Sequence, residues 1–77
     1  MILEDLKKII TRHIDVLPEN ITMESDLNDD LDADSIEIAE VVMDIEEKYN
    51  FEFSDEDTTK IKKVRDLVEF IKSKMNN

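Results

Sequence analysis

The chain has no cysteine, no glycine and no tryptophan, and among its 77 residues Pro18 is the only proline. Each absence removes a class of structure. Without cysteine there is no disulfide and no thiolate metal site, so helix packing alone must hold a small domain together. A reducing compartment fits that composition. Tight β-turns lack the residues they need, whereas helices joined by polar loops do not require glycine or repeated proline. The first residues, Met1-Ile2-Leu3-Glu4-Asp5-Leu6-Lys7-Lys8, have neither the basic start nor the continuous apolar core of a signal peptide. No stretch approaches the roughly 20 apolar residues of a membrane span. A soluble, cytoplasmic protein without membrane insertion is expected.

Bases are scarce too, 10 against 21 acids, for a formal net charge of −11. Such a chain is repelled by nucleic acid and by anionic membranes, and favours cationic protein partners. Its length supports one domain spanning residues 1–77, with too little interior for both a deep substrate pocket and a catalytic apparatus. A binding or carrying role is therefore favoured over an enzyme, no catalytic or metal-binding residue is assigned, and a monomer is expected. Charged and hydrophobic residues each make up 40%. The apolar ones recur at helical spacing, which a solvated coil would not require.

That spacing predicts an all-α fold, a four-helix bundle of three longer helices and one short. Leu3, Leu6, Ile9, Ile10, His13, Ile14 and Leu17 mark a first helix from about Ile2 to Asp15, ended by Pro18. His13 falls in its apolar stripe as a packed or half-exposed side chain. A loop follows from Pro18 to Asp34, long enough to need either function or its own packing, with Ile21, Met23, Leu27 and Leu31 as anchors. The second helix runs from about Ser35 to Tyr49, capped by Asp34 or Ser35, with Glu37 complementing the positive end of its dipole. Ile38, Val42, Ile45 and Tyr49 form its apolar stripe. Phe51 and Phe53 occupy a short extended link, Ser54-Asp55-Glu56-Asp57 carries a cap-and-acid signature, and Val64, Leu67, Val68 and Ile71 mark a last helix from about Val64 to Lys74.

The densest chemical signal is Asp30-Leu31-Asp32-Ala33-Asp34-Ser35-Ile36, which sets one serine at a helix start inside an acidic segment. No lysine or arginine occurs between Arg12 and Lys48, although a face selected for stability alone would gain from Glu–Lys pairs four residues apart. Glu37, Glu40, Asp44 and Glu47 therefore read as a docking surface, with Ile36 and Met43 as apolar contacts within it. The bland alternatives are a capping serine, a solvated acidic face, and core packing for Ile36 and Met43. Asp26, Asn28, Asp30, Asp34 and Glu37 also match alternate oxygen positions of an EF-hand loop. Leu31 stands where that loop needs glycine and Ala33 where it has a larger aliphatic residue, so an EF-hand is rejected. Loose divalent-cation binding by crowded carboxylates remains a separate expectation.

Asp34-Ser35-Ile36, followed by Glu37-Ile38-Ala39-Glu40-Val41-Val42-Met43-Asp44-Ile45-Glu46-Glu47, resembles the acyl carrier proteins of dissociated (type II) fatty acid synthesis. The likeness takes in the loop from Asp26 to Asp34, Tyr49, Phe53-Ser54-Asp55-Glu56, Lys60-Ile61 and Val64. The family usually has glycine at Asp32, leucine at Ile36 and proline at Ser54. Aspartate readily visits the left-handed region that glycine would serve, and serine is a substitute cap. The resemblance implies that Ser35, flanked by Asp34 and Ile36, carries 4′-phosphopantetheine donated by coenzyme A. A magnesium-dependent phosphopantetheinyl transferase, the holo-carrier-protein synthase, would attach it. Fatty acyl chains held as thioesters would then pass to fatty acid synthesis enzymes with basic docking patches. Val42, Ile45, Leu67 and Val68 are expected to shelter the chain. The same serine-and-helix logic serves specialised carriers for polyketide, nonribosomal peptide or other dedicated pathways, and a purely protein-binding or calcium-responsive helical module with an unmodified serine is the reading from another class.

Overall fold

A computed structural model describes residues 2–75. Four α-helices, α1 (Ile2–His13), α2 (Ser35–Tyr49), α3 (Asp55–Thr59) and α4 (Val64–Met75), form the all-α bundle, with one 3-10 turn at Pro18–Asn20. Among the described residues there is no β-strand, only an isolated antiparallel bridge between Asp26 and Lys63.

Apolar residues at helical spacing on α1, α2 and α4 bury against one another. Leu6, Ile10, Ile45, Leu67 and Ile71 are fully buried, with Ile9, Val41, Val64 and Val68 beside them. Full burial of each such side chain contributes about 1.5–3 kcal/mol. Helix α1 ends two residues before the expected Asp15, although the Ile14 amide still donates to the Ile10 carbonyl at 2.8 Å. Leu17 departs from the stripe: preceding a proline, it is extended at φ −74°, ψ 139°. Its side chain is left 58% exposed.

The long loop is packed by its own anchors. Ile21, Leu27 and Leu31 are buried, and Met23 packs half-buried against the core. Buried Ser25 accepts the Thr22 amide at 2.9 Å and donates to the Asn20 carbonyl. Asp26 accepts the amides of Asn28 and Asp29, and Asp30 accepts that of Asp26. The Asp29 amide above all, then the Asn28 amide and nearby Lys62 and Lys63, hold the Asp26 carboxyl below its ordinary range against the opposing effect of burial.

The same loop is fastened to the start of α4. Leu27 donates to Lys62, Val64 to Ser25 and Arg65 to Met23 through backbone amides, while Glu24 pairs with both Lys63 and Arg65. These contacts seat the segment that leads to Ser35. At the opposite end of α2 the chain's four aromatic residues form one stack. Tyr49 lies against Phe51, Phe51 against Phe53 and Phe70, and Phe53 stacks on Phe70 at 4.3 Å. The Tyr49 hydroxyl donates to Asp5 on α1 at 2.9 Å.

Candidate functional site

The geometry around Ser35 begins three residues earlier, where Asp32 adopts φ 56°. That left-handed turn is open to aspartate at modest cost and closed to bulky or β-branched residues. It returns Ala33 to the core, where its amide donates to the Leu27 carbonyl at 2.9 Å. Leu31 and Ala33 are buried and Asp30, Asp32 and Asp34 are exposed, so the segment is pinned at alternate residues beneath an acidic rim.

Asp34 is the cap. Its carboxylate accepts the Glu37 amide at 2.8 Å, and Glu37 accepts the Asp34 amide at 3.0 Å, a reciprocal capping box. Ser35 is thereby relieved of capping and takes the first helical position with its side chain exposed. First-turn amides have no intrahelical acceptor, and the helix dipole adds positive potential there, which partly offsets the repulsion of an anion on Ser35 by Asp30, Asp32 and Asp34. Beside it opens a hollow of about 350 Å³ lined by Ser35, Ile38, Ala39, Val42, Met43 and Thr58. Thr58 turns its hydroxyl to the Asp55 carbonyl. An exposed hydroxyl, helix amides and an adjoining, largely apolar recess together fit a phosphodiester-linked arm with apolar cargo.

The other expected residues are placed unequally. Ile36 and Met43 are 71% and 63% exposed on α2, amid exposed Glu40 and Glu47. Glu37 is half-buried in its capping box. Asp44 is held from α1, by His13 at 2.7 Å and Arg12 at 3.8 Å. Of the expected shelter residues, Val42 lines the recess, whereas Ile45 and Leu67 are sealed in the core at 0% exposure. Val68 borders a different hollow with Ile2, Leu3, Met23 and Lys72. Ile38, Ala39 and Thr58 are recess residues that sequence reasoning missed. Ala39 and Ile38 follow from helical spacing after Ser35, but nothing local assigns Thr58. Among the described residues, no three acidic or histidine side chains converge on a metal position. The EF-hand-like acids Asp26, Asp30, Asp34 and Glu37 instead accept backbone amides.

The described helices thus present one solvent-facing serine at the first turn of acidic α2. The family described as "Phosphopantetheine attachment site" matches residues 4–71. Acyl carrier proteins of Coprothermobacter proteolyticus and Wolinella succinogenes are 42% and 40% identical, over 96% and 94% of this chain and 90% and 95% of theirs. In three dimensions the acyl carrier protein from Enterococcus faecalis superposes with a TM-score of 0.77 at 39% identity, covering 92% of this chain and 90% of that one. The chain belongs to the acyl carrier protein family, whose cofactor is covalent phosphopantetheine. Among the described residues no helix is long and apolar enough to cross a membrane.

Proposed function

We propose that Ser35 carries 4′-phosphopantetheine and that the protein, a single carrier domain over residues 1–77, shuttles fatty acyl thioesters between enzymes without catalysing a step. The observation that supports this most is the division of labour between Asp34, which caps α2, and Ser35, which the cap leaves exposed at the mouth of an apolar recess. Bound there, the group supplies the terminal thiol that holds the acyl chain. Asp34 and Ile36 flank the hydroxyl, and activation of Ser35 comes from the transferase, since no histidine or lysine adjoins it in sequence. The acyl chain enters among Ile38, Ala39 and Val42; contact with Ile45 or Leu67 requires the core to part.

Glu37, Glu40, Met43 and Glu47, with Ile36, meet basic patches on the transferase and on fatty acid synthesis enzymes, in the cytoplasm and as a monomer. The exposure of two large apolar side chains beside exposed Glu40 and Glu47 supports that assignment. Intact mass before and after incubation with coenzyme A, magnesium and a broad-specificity phosphopantetheinyl transferase tests the attachment. One phosphopantetheine is expected on the native chain and none on Ser35→Ala; no gain on the native chain returns the protein to an unmodified interaction module. Glu40→Lys should slow the same reaction in a salt-sensitive way, and unchanged kinetics at low salt would remove the docking assignment.

A further inference from the structure

Asp44 lies one turn beyond Glu40 on α2, in line with the acids assigned to docking, yet its carboxylate already has partners on α1. His13 Nε2 lies 2.7 Å from Asp44 Oδ2. An ionised carboxylate oxygen only accepts, so His13 presents its N–H there. The Arg12 guanidinium lies 3.8 Å from the same oxygen and is 68% exposed, whereas Asp44 is 27% exposed. One carboxylate oxygen thus accepts from His13 and lies within ion-pair distance of the more exposed Arg12 guanidinium.

The surroundings reinforce the contrast. Lys8, Arg12 and Lys48 line, with Asp5, Asp44 and Glu47, a hollow of about 350 Å³ between α1 and α2. Positive and negative charges balance in that hollow. Toward the start of α2, Ile36, Glu37, Glu40 and Met43 lie within the stretch between Arg12 and Lys48 that has no lysine or arginine. The acidic footprint therefore has an edge, and Arg12 stands on it.

Resting on the docking face proposed above, we infer that Arg12 and His13 withdraw Asp44 from that face, and that Arg12 is a specificity-determining residue which disfavours partners whose cations extend toward α1. A lysine or arginine approaching Asp44 meets like charge from Arg12 and a carboxylate oxygen that already accepts from His13. Cations reading Glu40 and its neighbours nearer Ser35 do not.

The test is the affinity of the apo protein for a phosphopantetheinyl transferase at low and high salt, with four variants: Glu40→Gln, Asp44→Asn, Arg12→Gln and the double Arg12→Gln/Asp44→Asn. Asp44→Asn keeps an oxygen acceptor for His13, and Arg12→Gln alters only a surface pair, so both fold; thermal melts check this. Arg12→Gln should tighten binding roughly two- to five-fold at low salt, with the gain screened away at high salt. In the Asp44→Asn background that gain should vanish, and Asp44→Asn itself should weaken binding far less than Glu40→Gln. An Asp44→Asn loss equal to that of Glu40→Gln makes Asp44 a direct docking residue and overturns the inference. Equal gains from Arg12→Gln in both backgrounds reduce Arg12 to a contribution of net charge and overturn it as well. If Glu40→Gln changes nothing, the docking face itself fails, and the inference with it.

Discussion

Tyr49 offers a direct test of how α1, α2 and the aromatic stack are coupled. Its hydroxyl donates to Asp5, and burial first, then the Asp5 hydrogen bond and charge, push its pKa from 10.0 up to about 12. The native state therefore holds the phenolic proton more tightly than the unfolded chain does. The stability this confers is complete below pH 10 and is lost as pH rises from 10 to about 12. Two units correspond to about 2.7 kcal/mol. Partial solvent exposure of the ring and its carboxylate lowers the expected loss to roughly 1–2 kcal/mol. Tyr49→Phe has no such proton, and at neutral pH it forfeits about 1 kcal/mol for the missing hydrogen bond. The stability curves of the two proteins should converge and then cross between pH 10 and 12. Since this is the chain's only tyrosine and there is no tryptophan, tyrosinate absorbance follows the group alone, and denaturant titrations at each pH give the stability. Lysine titration acts on both proteins and cancels in the difference. A native-state midpoint near 10, or stability curves that stay parallel, would refute the coupling.

Asp34→Ala should lower stability by about 1 kcal/mol through loss of the cap, whereas Ser35→Ala should stay within about 0.5 kcal/mol; a melt in which serine is the costlier loss would reverse the roles assigned here. The Ser54 amide and hydroxyl hold Asp57 below its ordinary range, as the Asp29 amide holds Asp26. Their contributions are present above pH 3.8 and disappear as pH falls through the lower native values, so Asp26→Asn and Asp57→Asn should each flatten the acid limb of a Tm-versus-pH curve. Slopes equal to that of the native chain would contradict this. Asp32→Val should cost roughly 1–2 kcal/mol by forcing a β-branched residue into the left-handed region, and Asp32→Gly should be far milder; chemical denaturation giving the opposite order would deny that the turn is needed.

Most of the helical framework can be read from local pattern, because helix-forming forces act over three or four residues. The stripe Leu67, Val68 and Ile71 and the acid-rich start at Ser54 place α4 and α3 where the structure has them. The capping box of Asp34 and Glu37 is likewise a three-residue relation. Leu17 fails for a reason also local but overridden: its helical spacing continues the stripe, while the following proline forces extended backbone and turns the side chain outward. The stitching of Ser25 and Leu27 to Lys62 and Val64 has no comparable signature. It uses backbone groups, which every residue possesses, across a separation that no periodicity spans.

The site divides along the same line. Ser35 is recognisable because its chemistry depends on neighbours in sequence: the turn at Asp32, the cap at Asp34 and the helix beyond. The recess and the acidic face depend on what other helices bring. Val42 is an aliphatic residue on the correct side of α2, but Ile45, equally aliphatic and one turn later, faces a closed core. Asp44 belongs by sequence to a run of acids without lysine or arginine, and only the crossing of α1 over α2 brings Arg12 and His13 to engage it. Charge counted along a helix therefore overstates the charge a partner meets. On the docking face proposed above, the acids that count most are those nearest Ser35, Glu37 and Glu40, while farther along α2 Asp44 and Tyr49 are also tied to α1 through His13 and Asp5.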